Sequence, residues 1–187
     1  MTLSFRSFTF LYVIFLMAGA IERVKYTFFT HNANKKVGRI YYKWTFIALS
    51  SSYILIVLSS VAEYFLIIKT VNVFVAISGF IVFLAGVFLR RMSGENLGRN
   101  WSLHVEIKEN HELITVGIYK YLKHPYYLGV MLELAGVCMI SNSFYSLLLV
   151  FFVQLPLLAI RIFLEEKTLT SCFGDKYERY RFSKLLF

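Results

Sequence analysis

The sequence predicts an all-α, polytopic membrane protein with five transmembrane helices, its amino terminus outside and its carboxyl terminus in the cytoplasm. Three observations carry that expectation. The 187 residues are 58% hydrophobic and only 17% charged, where a soluble domain carries about 25% charge. The apolar residues gather into five long runs. Finally, 18 of the 20 Lys and Arg residues fall on one side of those runs.

The runs are Leu3 to Ile21, Trp44 to Ile68, Val71 to Leu89, Tyr126 to Ile140 and Phe144 to Leu164. A spanning helix needs about 20 residues, with roughly 17 as a lower limit. Four runs reach this; the fourth, with 15 residues, must borrow from its flanks or stop short. The first run reads as a retained span rather than a cleaved leader, because further runs follow it. Lys69-Thr70 separates the second and third runs, and a short stretch centred on Asn142 separates the fourth and fifth. Both pairs read as tight helical hairpins.

Charge sets the orientation. Stretches 22–43 and 90–125 and the tail from Arg161 hold all the cations except Arg6 and Lys69. Cytoplasmic segments carry the excess of Lys and Arg, so these three polar segments are expected inside. The net charge of +9 then reflects topology and anionic membrane lipid rather than nucleic acid. One membrane-embedded domain over residues 1–187 is expected. Cys138 and Cys172 form no CxxC pair. His104, His111 and His124 share a stretch with Glu106, Glu109 and Glu112, but "HELIT" lacks the second His of H-E-x-x-H. No metal site is expected.

The stretch from Arg90 to Gly129 is the longest polar insertion. "LHVEIK" alternates apolar and polar residues, which suits a strand or an interfacial extension equally. "ELITVGIYKYLKHP" reads as a short amphipathic helix ended before Pro125, and Pro125 suits the first turn of the fourth helix. His124 stands at that helix start. It is either an interfacial histidine in a basic loop or a donor to an anion, helped by free backbone N–H groups. The tyrosines at 119, 121, 126 and 127 fit an aromatic belt at the membrane surface.

At the end of the fifth run, Arg161 and Glu165 are four apart and share a helix face. Glu165 and Glu166 are adjacent carboxylates at the membrane boundary, where charges pair or line a pocket. A cation beside them would relieve their repulsion. Tyr177 and Tyr180 are expected to cover a membrane-facing edge.

Two gapped patterns resemble the isoprenylcysteine carboxyl methyltransferases and their prokaryotic relatives. The first, "H-x-L-x-x-x-G-x-Y-x-x-x-R-H-P-x-Y-x-G", is met by His111, Leu113, Gly117, Tyr119, His124, Pro125, Tyr127 and Gly129, with Lys123 in place of the usual Arg. The second, "E-E-x-x-L-x-x-x-F-G-x-x-Y-x-x-Y", is met by Glu165, Glu166, Leu169, Phe173, Gly174, Tyr177 and Tyr180. "LGRNWS" also resembles the segment that precedes them in the family. The likeness covers residues 90–180; the tail lacks the family's later Arg and Pro.

The resemblance implies an S-adenosylmethionine-dependent methyltransferase with a cytoplasmic cofactor cavity. It implies that His111, Leu113, Gly117, Tyr119, His124, Pro125, Glu165 and Glu166 surround the cofactor. His124 would hold the methionine carboxylate and a glutamate would face the ammonium or sulfonium. Arg161 and Glu165 are the expected catalytic pair, with Arg161 orienting the acceptor carboxylate. The expected acceptor is lipophilic or lipid-modified, and best an isoprenylcysteine carboxylate. Methylation of a phospholipid amine is the alternative enzyme, and a non-catalytic transport or assembly protein is the alternative class.

Overall fold

The computed structural model describes residues 5–26, 38–102, 104–107 and 113–182. Among the described residues, the apolar runs are helical over most of their length. The elements are α1 (Phe5–Val24), β1 (Arg39–Tyr41), α2 (Lys43–Leu66), α3 (Val73–Leu97), β2 (Val105–Ile107), α4 (Pro125–Ile140), α5 (Phe144–Leu149), α6 (Leu155–Phe173) and α7 (Asp175–Phe182). A π-helical turn, Val150–Gln154, joins α5 to α6 in one helix of 30 residues. Pro156 explains the turn: it has no N–H for the carbonyl one turn back, so the ladder widens there.

Among the described residues, four helices are long and apolar enough to cross a membrane: α1, α2, α3 and the joined α5–α6. The fourth run forms α4, which is apolar but 16 residues long. The chain is therefore a helical, multi-pass membrane protein. The apolar side chains of α1 to α3 are largely exposed, Phe74 and Leu66 among them, as expected where lipid rather than protein covers a helix.

The α2–α3 and α4–α5 hairpins are held by side-chain caps. Asn72 caps α3 by accepting from the Phe74 N–H at 3.0 Å. Asn142, at φ 59°, accepts from the Asn72 N–H at 2.9 Å, so one hairpin turn ties to the other. Glu63, buried on α2, accepts from the Tyr145 and Ser146 N–H groups at 3.0 and 2.8 Å. Its charge meets the positive end of α5.

Helices α3 and α4 make the tightest crossing. A Cβ placed on Gly86 would lie 2.6 Å from the Glu133 N, and one on Gly129 would lie 2.8 Å from the Gly86 O. Gly79 and Gly136 repeat this contact two turns away. Small residues permit such close approach between membrane helices. Gly86→Val is expected to destabilise the protein by about 1–3 kcal/mol or more, as overpacking does, read as a lower midpoint of thermal unfolding in detergent. An unchanged midpoint would mean that the two backbones do not meet this closely.

Two sequence expectations are corrected. Over its described residues "ELITVGIYKYLKHP" does not form an amphipathic helix: residues 113–116 are irregular and only Gly117–Lys120 makes a 3-10 turn. Gly117 sits at φ 61°, a left-handed conformation that stops a helix at its start. A Cβ there would also meet the Asn96 side chain at 1.5 Å. Tyr177 and Tyr180 do not cover a membrane-facing edge. Both are buried, and the Tyr180 hydroxyl donates to the Tyr119 carbonyl at 2.8 Å. "LHVEIK" contributes β2, which pairs antiparallel with β1, Arg39 opposite Ile107.

Candidate functional site

A cavity of about 470 Å³ lies where α1 and α3 end and α2 and α4 begin. Strand β2, the 113–124 segment, α6 and α7 complete its walls. It forms there because α3 and α6 run past their apolar segments, while α4 starts late, at Pro125. The extra turns of α6 carry Glu165 and Thr168 to this space, and the extended α3 ends on it at Leu97.

Arg161, Tyr127 and Glu165 form its polar centre. All three line the cavity. Arg161 Nε donates to the Tyr127 hydroxyl at 2.7 Å, and Arg161 Nη1 donates to Thr45 Oγ1 at 3.0 Å. The Tyr127 hydroxyl donates in turn to Glu165 Oε2. The two charges on one face of α6 are thus linked through a phenol from α4, in place of a plain surface pair. The guanidinium carbon lies 5.7 Å from the Tyr127 ring centroid.

Glu165 and Glu166 part company, as neighbours on a helix must, about 100° apart around its axis. Glu165 faces the cavity. Glu166 turns behind it to Lys123 Nζ and His124 Nε2, both at 3.3 Å. Lys123 and His124 themselves line the cavity. One carboxylate therefore borders the cavity while its neighbour holds two basic groups against the cavity wall.

Of the other expected residues, Leu113 and Tyr119 line the cavity. Tyr119 is buried, and burial, then the Glu165 charge, raises its pKa well above the usual phenol value, so it is a neutral donor at pH 7. Gly117 and Pro125 shape the backbone without lining the space: Gly117 sets the 3-10 turn and Pro125 begins α4. His111 lies outside the described residues.

Residues that sequence reasoning did not assign also line the cavity. His104 Nδ1 is buried without a hydrogen-bond partner among the described residues. Burial, and then the Arg161 charge, lower the His104 pKa, which keeps the imidazole neutral at pH 7. Gln154, set in the π turn, accepts from Ser52 Oγ at 2.6 Å. Trp101 packs edge-on to Tyr126. Arg23 enters from the end of α1. Its signal was present as a charge beside an apolar run, but that position reads equally as topology.

Behind Arg23 lies a buried ionic chain. Arg23 Nη1 donates to Glu133 Oε2. Glu133 Oε1 accepts from Arg90 Nε at 2.5 Å, Arg90 Nη2 donates to Glu22 Oε2 at 2.5 Å, and Glu22 Oε1 accepts from Arg91 Nε at 2.9 Å. Glu133 is a single carboxylate inside an apolar run, which is the kind of residue that marks a pairing or a site.

Residues 79–171 match the model of the isoprenylcysteine carboxyl methyltransferase family. The protein-S-isoprenylcysteine O-methyltransferase of Schizosaccharomyces pombe is 40% identical over 98 residues, which are 51% of this chain and 42% of that protein. The enzyme of the same name from Saccharomyces cerevisiae is 29% identical over 105 residues, 55% of this chain and 44% of that protein. The chain thus spans about half the length of the curated relatives it matches. The solved structure of the eukaryotic intramembrane Ras methyltransferase, isoprenylcysteine carboxyl methyltransferase, is similar in fold, with a TM-score of 0.60 and 24% identity over 79% of this chain and 53% of that one.

Proposed function

The chain belongs to the isoprenylcysteine carboxyl methyltransferase family, and from that membership we propose that it is a membrane methyltransferase acting on the carboxylate of an isoprenylcysteine-like acceptor. The observation that carries the proposal is the Arg161–Tyr127–Glu165 centre lining a cavity of about 470 Å³. The proposed methyl donor is S-adenosylmethionine. The residues present fit it. Glu165 offers a carboxylate to an ammonium or sulfonium, Lys123 offers an ammonium and His124 a ring nitrogen to a carboxylate, and His104 offers a buried imidazole nitrogen without a partner among the described residues. Tyr119 and Leu113 are proposed to line the adenosine. His111, Gly117, Pro125 and Glu166 are proposed to belong to the same subsite, the last through its hold on Lys123 and His124.

Bound there, S-adenosylmethionine supplies an activated methyl group for an in-line displacement by a carboxylate oxygen. An acceptor carboxylate is already ionised at pH 7, so no residue needs to remove a proton. The work of the site is placement and charge complementarity. Arg161 is suited to orient the acceptor without quenching its attack, because Tyr127 and Thr45 already use part of its hydrogen-bonding capacity.

The proposed arrangement in the membrane is one domain of five spans, α4 counted as the short fourth, with the amino terminus outside and the carboxyl terminus and the cavity on the cytoplasmic side. The 18-to-2 division of Lys and Arg supports it. The lipid chain of the acceptor would then enter from the bilayer between helices.

Transfer of a labelled methyl group to N-acetyl-S-farnesylcysteine, compared with transfer to phosphatidylethanolamine, tests the acceptor. Label in the farnesylcysteine product is expected. Label in the phospholipid alone would replace the carboxylate acceptor with a lipid amine. Label in neither, with the protein folded, would contradict the enzyme reading.

A further inference from the structure

The family match begins at residue 79, so Arg23 stands outside it, yet Arg23 lines the same cavity as Arg161. The buried ionic chain contains three guanidinium groups, Arg23, Arg90 and Arg91, and two carboxylates, Glu22 and Glu133. It therefore carries one excess positive charge. The three cations are not equally placed. The Arg90 side chain is 0% exposed and bonds to both carboxylates. Arg91 is 51% exposed, so water or lipid headgroups screen it. Arg23 is 26% exposed, and its Glu133 partner is shared with Arg90.

Arg23 and Arg91 thus each have only a carboxylate shared with Arg90, and of the two Arg23 is the less exposed and borders the cavity. Its guanidinium carbon lies 4.4 Å from the Tyr53 ring centroid, which fixes its plane without neutralising it. Among the described residues, Glu133 is its one hydrogen-bond partner and engages Nη1, which leaves Nε and Nη2 to donate elsewhere. A guanidinium with two free donors is shaped for a carboxylate. Arg161 is already held by Tyr127 and Thr45. Arg23, Tyr126 and Arg161 line the same cavity.

We propose that Arg23 is a specificity-determining residue that grips the carboxylate of the acceptor and selects anionic over neutral lipophilic acceptors. This rests on the reading of the cavity as a site for a lipophilic methyl acceptor. It divides the work: Arg23 holds one carboxylate oxygen on the α1 side, and Arg161 orients the group beside Glu165. The other oxygen stays free to attack.

The test is direct equilibrium binding of N-acetyl-S-farnesylcysteine and of its neutral methyl ester to the purified, detergent-solubilised protein. Losing a charge-assisted contact is expected to weaken acid binding in Arg23→Gln by about 10- to 100-fold, while ester binding stays within about twofold of the wild-type value. Ester binding serves as the folding control. If Arg23→Gln does not fold, Arg23→Lys carries the test, with a smaller loss for the acid alone, because an ammonium lacks the planar fork. A wild-type protein that binds both compounds equally, or a variant that keeps the wild-type acid-to-ester ratio, would overturn the role of Arg23 while leaving the methyltransferase reading standing. Wild-type protein that binds neither compound would overturn the acceptor reading, and this proposal with it.

Discussion

Arg161→Met is expected to lower kcat/KM for methyl transfer by about 10- to 100-fold, because losing the charge-assisted contact that orients the acceptor carboxylate costs roughly 1.5–3 kcal/mol. The substitution removes the donor to Tyr127 and leaves Glu165 with a phenol but no cation behind it. It also strips Thr45 of its guanidinium partner. Arg161→Lys keeps a charge but cannot reach Tyr127 and Thr45 with the same fork, so an intermediate loss is expected. Steady-state kinetics with the farnesylcysteine acceptor measures both. A loss in Arg161→Met of less than about fivefold, near 1 kcal/mol, would place the Arg161–Tyr127–Glu165 centre outside the reaction.

Glu133→Ala is expected to be the most damaging single change to stability. Glu133 is buried on α4 and is the only carboxylate in the ionic chain that touches both Arg23 and Arg90. Its removal leaves Arg90 with Glu22 alone and Arg23 with no carboxylate partner among the described residues. Uncompensated buried charge costs about 3–5 kcal/mol, which corresponds to a fall in Tm on the order of 10 °C for a chain of this size. Glu133→Gln keeps the shape and one of the two acceptor oxygens and is expected to lose less. Thermal unfolding in detergent distinguishes them. Equal midpoints for Glu133→Ala and wild type would mean that the chain of charges is screened by water and contributes little.

Both predictions concern residues whose partners lie far away in sequence, and this separates what the sequence displays from what it conceals. The apolar runs located the helices, because lipid demands long apolar stretches whatever the neighbours are. They did not locate all the helix ends. The third run stops at Leu89 but α3 continues to Leu97, and the fifth stops at Leu164 but α6 continues to Phe173. Hydropathy marks where the lipid ends, whereas the backbone ladder continues until something breaks it. Gly98 and Gly174, both at positive φ, follow these two helices.

The candidate site was legible on the stretches that carry family-like patterns. His124, Arg161, Glu165, Tyr119 and Leu113 come together around one cavity. Which of the paired glutamates faces it was not legible, since adjacent helical positions differ by about 100° and the pattern does not set the zero of that angle. The role of Tyr127 as the link between Arg161 and Glu165 was hidden by its other reading, an interfacial aromatic. Glu133 was visible as a lone carboxylate in an apolar run. Its partners, 110 and 43 residues away, were visible only as positive charges near membrane boundaries. Long-range pairing of this kind is decided by packing, and here by the close α3–α4 crossing that brings Arg90 against Glu133.

Equilibrium binding of S-adenosylmethionine to the purified wild-type protein and to Glu165→Gln decides whether this cavity binds the methyl donor through Glu165. Saturable binding by the wild type is expected, with affinity at least about 10-fold weaker in Glu165→Gln, as loss of a charge-assisted contact implies. Folded wild-type protein that binds no S-adenosylmethionine, or a Glu165→Gln variant that binds it as tightly as wild type, would contradict binding through Glu165.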